Sequence, residues 1–278
     1  MKKLAWIAVI LSIVGAVFLG LGIAAGGLEA ANSIDGIQIG NSSSTKMVHQ
    51  DKIIDKDFHT IKVNAGDMDV KVVASKDAQA HISYGVLKEK GKLPFTWKVQ
   101  DQELIVQEKK DNKVGFFFAT TTEENTITIS VPQQKEVKLD LEGEDGDYEI
   151  NRLNLSNLDL LSSSGDITVK DCSIQSSQIQ SEDGDIEIKD SFLNQSKIHS
   201  EDGDMVLTGI SLQTKLDVES ENGDIDCQVK DIEKMNIHAS SENGDISYQR
   251  KDYASNFNQK GNGAWIKVKS EDGDICLK

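Results

Sequence analysis

A six-residue motif recurs through the second half of the chain and dictates what it can fold into. It reads SSSGDI, SEDGDI, SEDGDM, SENGDI, SENGDI and SEDGDI, preceded by the variant GEDGDY. The Gly-Asp pairs are Gly146-Asp147, Gly165-Asp166, Gly184-Asp185, Gly203-Asp204, Gly223-Asp224, Gly244-Asp245 and Gly273-Asp274. The intervals between them are 19, 19, 19, 20, 21 and 29 residues. A period near 20 marks a stacked-repeat architecture, in which one copy cannot bury its apolar face and its neighbours bury it.

Alignment on the glycine produces apolar columns. Five residues before it stand Leu141, Leu160, Ile179, Ile198, Val218, Ala239 and Val268. Two after it stand Tyr148, Ile167, Ile186, Met205, Ile225, Ile246 and Ile275, and four after it Ile150, Val169, Ile188, Leu207, Cys227, Tyr248 and Leu277. A fourth column, nine after it, holds Leu155, Ile174, Leu193, Leu212, Ile232 and Tyr253. The alternation at +2 and +4 is strand periodicity. The expected fold is therefore all-β: a β-solenoid of about 20-residue coils with like residues stacked about 4.8 Å apart. The rival is a run of antiparallel hairpins, since Asp-Gly and Asn-Gly between alternating strands are hairpin signals. Hairpins do not require four columns to hold one period.

The motif residues have structural readings. Glycine is expected to supply a positive φ at a corner. The preceding Asp or Asn tolerates left-handed backbone and bonds its own turn. The invariant aspartate accepts corner N–H groups. The serine column (Ser162, Ser181, Ser200, Ser220, Ser241, Ser270) packs at a tight bend, and Glu144, Glu182, Glu201, Glu221, Glu242 and Glu271 form an acidic column. The sharper alternative is a calcium-binding edge built from these carboxylates. The nine-residue glycine-rich repeat of calcium β-rolls is absent, and no metal-ligand spacing is found.

At these columns the chain resembles the putative-adhesin family of β-strand repeat proteins, a domain class of unknown function. The repeated Ser-x-x-Gly-Asp-Ile copies carry the resemblance, supported by Gly66-Asp67-Met68-Asp69-Val70 and the ITISVP segment, over roughly residues 58–278. Some members are membrane-anchored and occur with bacterial cell-envelope stress systems. The resemblance implies a β-solenoid and an envelope location, and carries no catalytic residues.

The start of the chain points to the same place. Met1-Lys2-Lys3 precedes 24 uncharged, mostly apolar residues, 4–27. As a helix they span a hydrocarbon core of about 30 Å. The run is longer than the core of a cleavable signal and lacks a good small-x-small site. Residues 1–27 are thus expected to be an uncleaved signal anchor, a single transmembrane helix. Lys2 and Lys3 would stay in the cytoplasm and the rest of the chain outside. Residues 28–57, rich in Ser, Asn and Asp, read as a linker. Residues 58–140 read as a less regular β region, either degenerate coils or a cap. Ile61, Val63, Met68 and Val70 fit the columns about Gly66 as a first rung. Residues 141–278 are the regular solenoid.

The net charge is −16, with no basic stripe interleaved with aromatics, which argues against nucleic acid as a partner. Cys172, Cys227 and Cys276 do not share the register that a bridge between neighbouring rungs needs. The five histidines are scattered, and no nucleophile–base arrangement or cofactor motif is present. Two stretches are candidate interaction sites. Phe116, Phe117 and Phe118 form a sticky run among polar residues, whose bland reading is a buried strand. The 29-residue last interval holds Arg250, Lys251, Tyr253, Phe257, Lys260 and Trp265, the residue types that binding epitopes enrich. Its bland reading is a cap over the last rung, whose strand edge would have no following coil.

The sequence thus points to a membrane-anchored, extracytoplasmic, non-enzymatic module for structure or interaction, adhesin-like, with envelope proteins or wall polymers as partners and no cofactor. The alternatives are a calcium-dependent surface binder and a polysaccharide-acting solenoid enzyme.

Overall fold

A computed structural model describes residues 37–39, 46–88, 92–109, 114–116 and 125–278. The apolar segment 4–27 lies outside the described residues, as do Phe117 and Phe118. Among the described residues, no helix is long and apolar enough to cross a membrane. The chain divides into a small unit, residues 1–45 and 110–123, and a large one, 46–109 and 124–278. In the small unit, Ile37–Ile39 pairs in parallel with Val114–Phe116, which places Phe116 opposite Ile39.

The large unit is a stack of two-stranded rungs. Each repeat sends one long strand into one sheet and one short strand into a second. Asn154–Ser162, Ser173–Ser181 and Phe192–Ser200 lie in parallel in the first; Ile167–Lys170 and Ile186–Lys189 lie in parallel in the second. The Ser-x-x-Gly-Asp corner joins the two strands of a rung. Column residues face their counterparts: Ile167 with Ile186, Ile179 with Ile198, and Val218 with Val268. Parallel pairing excludes hairpins through the copies from Gly146 to Gly223; only after the Gly244 copy does the chain form one. Three of the expected columns are the core throughout, with Ile186, Ile188, Ile198, Val218 and Ile275 at most 1% exposed. The fourth, nine residues after the glycine, runs through Leu155, Ile174, Leu193 and half-buried Leu212 and then breaks, because Ile232 lies in a 3-10 turn and half-buried Tyr253 on an antiparallel strand. A further inward column holds Leu158, Ser177, Ser196, Leu216, Ile237 and Ile266. Its two serines are buried and satisfy each other, Ser177 Oγ donating to Ser196 Oγ at 2.7 Å.

The order of rungs in space departs from their order in the chain at both ends. After Ile225–Val229 the chain turns through left-handed Asp231 and a short 3-10 turn, Ile232–Lys234. It then builds Asn236–Ser241 and Ile246–Tyr248 one rung too far out. Lys251–Tyr253 and Asn256–Gln259 run back antiparallel as a cap on these two strands. Only then do Trp265–Ser270 and Ile275–Leu277 fill the gap, paired in parallel on both sides. The expectation that the last rung has an open edge is therefore corrected: the final copy is internal, and the 29-residue interval caps the copy before it.

The other end repeats the scheme. Thr60–Asn64 and Asp69–Ala74 form the first rung in the chain, but Glu103–Glu108 and Thr126–Val131 stack outside it. Phe95–Gln100, His81–Lys88 and Lys46–Ile53 then close this end antiparallel. Residues 58–140 thus hold both a degenerate coil and a cap. Lys46–Ile53, within the segment read as linker, is a strand of this cap, because an apolar sheet end needs a covering edge. The first rung is also two residues out of the expected register. Val63 faces Leu141 and Val70 faces Tyr148, so Met68-Asp69 takes the motif Gly-Asp position and Gly66 does not.

Candidate functional site

The corner of each rung draws the motif residues together, and its geometry shows what each is for. The serine Oγ accepts the motif glycine's N–H at 3.0 Å in the Gly184 and Gly203 corners and at 2.8 Å in the Gly223, Gly244 and Gly273 corners. Ser162, in the SSSGD copy, instead donates to the Gly165 carbonyl. The aspartates bond from rung to rung. The amide of Asp147 donates to the Asp69 carboxylate, and the bond then passes through Asp166, Asp185, Asp204, Asp224, Asp274 and Asp245, at 2.8–3.1 Å. Each exposed carboxylate thus holds the next rung's backbone.

The role expected of the glycine is corrected. Among the described glycines only Gly209 has a positive φ. The motif glycines are required by contact instead. A Cβ on Gly165 would lie 2.0 Å from the carbonyl oxygen of Gly146, and one on Gly184 2.3 Å from that of Gly165. Left-handed backbone belongs to the opposite corner, at Arg152, Asp171, Asp190 and Gly209, a column six residues after each glycine that the sequence reading passed over.

The acidic residues point out along this edge. In the column before the glycine, Asn222 donates to Asp202 at 2.5 Å and Asn243 to Asp272 at 2.6 Å, so amides interrupt the row of carboxylates. Among the described residues no three acidic, His or Cys side chains converge as a metal site. An open groove of about 310 Å³ runs along the opposite corner, lined by Arg152, Asp171, Cys172, Asp190 and Ser191 among others. Its cysteine is no nucleophile. Cys172 is buried, its thiol donates to the Lys170 carbonyl at 3.2 Å, and burial pushes its pKa up to about 11. All three cysteines are free.

The candidates of the last interval separate into two groups. Phe257 is buried, stacked on Tyr248 at 4.6 Å and tilted against half-buried Tyr253 at 4.7 Å. These rings fasten the cap. Gln259 holds the same cap by donating to the carbonyls of Ile232, Glu233 and Met235. Arg250, Lys251 and Lys260 are exposed. Trp265 is 60% exposed, on the outer face of the long-strand sheet between Lys215 and Asn236.

That face carries ion pairs as well. Lys267 bonds Glu219 and lies 3.6 Å from Asp217, while Lys215 bonds Asp217 at 3.0 Å. The Lys267 ammonium holds the Glu219 carboxyl below its ordinary range. Chain spacing concealed this cluster, because its strands are neighbours only through the out-of-order insertion.

A search of the curated proteins finds no match. Solved structures of similar fold include a "putative adhesin" from Bacteroides fragilis NCTC 9343, 18% identical over 84% of this chain and 97% of that one, with a TM-score of 0.49. Another is a "putative adhesin" from Parabacteroides distasonis ATCC 8503, 10% identical over 84% of this chain and 97% of that one, TM-score 0.47. A third, a "putative lipid binding protein" from the same strain, is 14% identical over 86% of this chain and 99% of that one, TM-score 0.45. The Toastrack DUF4097 family model matches residues 58–278, from the first inner strand to the final inserted rung, and the chain belongs to that family.

Proposed function

We propose that the chain is a non-enzymatic binding module of the bacterial cell envelope, tethered by its N-terminal apolar segment and holding its rungs outside the membrane. One observation carries the reading. The repeated Ser, Gly and Asp residues, which look like a site in the sequence, are engaged in holding rung to rung. The surface left for function is the outer sheet face, where Trp265 stands 60% exposed on rigid backbone. Rigid elements position binding groups better than loops do. The partners are wall polymers or envelope proteins. The adhesin-like label and the association with envelope stress fit such a module.

The test has two parts. External protease should digest the large unit on intact cells whose outer barrier has been opened, and the full-length protein should co-sediment with purified envelope material. Protection of the large unit in such cells, or its absence from the sediment, would overturn the proposal.

A further inference from the structure

We infer that the outer face around Trp265 is a binding site for an anionic glycan, lying across the rungs at the capped C-terminal end. This deepens the proposal above and rests on it. Three strands bring outward positions together here: Gln195 faces Lys215, and Lys215 faces Trp265. Asn236, which continues the row on a fourth strand, is buried and holds the adjoining loop, donating to the Gly263 carbonyl at 2.9 Å and accepting from the Gly261 N–H at 3.2 Å. Lys260 follows Gln259, the partner of Ile237, and so stands beside the end of the row. The next row reads Lys197, Asp217, Lys267, His238 and Asn258. Strands are spaced about 4.8 Å apart. That is close to the length of one pyranose residue, so a glycan crossing the strands meets one exposed side chain per sugar at Gln195, Lys215 and Trp265.

The chemistry of the row fits a sugar with acidic substituents. An exposed indole offers a flat apolar face to the C–H groups of a pyranose ring, and its N–H is a donor. Gln195 and the His238–Asn258 pair, bonded at 2.7 Å, offer hydroxyl partners. Charge decides between neutral and acidic sugars. The chain as a whole carries −16. On this patch both acids, Asp217 and Glu219, are already ion-paired to Lys215 and Lys267. Lys260 forms no ion pair with any described residue, and Lys197, beyond ion-pair distance, adds to the positive field on the Glu219 carboxyl. The unpaired charge beside Trp265 is therefore positive, which attracts carboxylate or phosphate groups and repels cations. Toward the other end of the same face, Asp140, Glu142 and Asp159 leave no such excess.

The test uses full-length protein with three probes: a hexauronate, a phosphorylated hexamannose and plain hexamannose. Binding is read by calorimetry at low and at physiological salt. One or both anionic probes should bind, more weakly at the higher salt, with the arms separating carboxylate from phosphate. Trp265→Ala and Lys260→Ala should each weaken binding about tenfold or more, while Trp265→Phe retains most of it. Leu161→Ala, on the same face but distant rungs, should change nothing. Equal affinity for plain hexamannose, or anionic binding that survives Trp265→Ala, overturns the inference. Absence of anionic-probe binding by wild-type protein that still co-sediments with envelope material also overturns the inference and leaves the broader proposed function standing. Failure of wild-type protein to co-sediment counts instead against the proposed function.

Discussion

The backbone amide of Asp274 donates to the carboxylate of Asp224 at 2.8 Å across 50 residues of chain, and the amide of Asp245 donates in turn to Asp274. The last rung of the chain is thus an interior rung of the stack. Hydrogen exchange should reveal this. Amides of Ile266, Val268 and Ile275 should exchange as slowly as those of the central rungs, and those of Asn256–Gln259 faster, since that cap strand has one free edge. Faster exchange at the chain's last rung than at its cap would contradict the pairing.

Gly165→Ala should destabilise the domain by about 3 kcal/mol or more, because its Cβ would press on the neighbouring carbonyl of Gly146 and separate two rungs. Gly209→Ala tests the other kind of glycine requirement. Its φ of 69° makes the cost one of backbone conformation, about 1 kcal/mol, plus whatever moving the Asp190 side chain requires. Denaturant melts in which the two variants lose equal stability would remove the distinction.

The Tyr148 hydroxyl is buried with no hydrogen-bond partner and occupies the space that a side chain on residue 143 would need. A Cβ on Gly143 would lie 2.2 Å from it. The regular rungs have serine at this position and an aliphatic residue in place of the tyrosine, as in Ser162 with Ile167. Gly143→Ser alone should therefore cost several kcal/mol. Gly143→Ser combined with Tyr148→Ile should recover to within about 1 kcal/mol of wild type. Additive losses in the double-mutant cycle would show that the two residues are not coupled.

Thiol labelling of the folded protein should be confined to Cys276, which is partly exposed. Cys172 is buried, and burial pushes the Cys227 pKa up to about 12, so neither offers accessible thiolate at neutral pH. Mass spectrometry after a brief exposure to iodoacetamide reads this directly; early modification at Cys227 would mean that the inner column opens.

Calcium should leave the melting midpoint unchanged within about 1 °C. The corner carboxylates accept backbone amides and the Asn222 and Asn243 amides rather than converging on a cation. A rise of several degrees over a chelator control would restore the calcium-binding alternative.

The sequence by itself determined the solenoid, its period, and the inward columns through Ile186, Ile188 and Ile198. A near-constant repeat puts like residues into like environments, and parallel stacking provides them. It also marked the serine and aspartate of the corner as structural. Three matters were decided by the tertiary structure. The reason for glycine is an approach between rungs, at Gly165 and Gly146, which no local pattern reveals. The first rung centres on Met68-Asp69 because the register follows Val63 and Val70 against Leu141 and Tyr148, not the nearest glycine. Trp265 comes to lie beside Lys215 rather than on an outermost strand, because the antiparallel cap reverses the chain before the final rung is laid in place. Periodicity records which residues face inward. It does not record the order in which rungs stack, since every rung of a parallel array presents the same edge to any other.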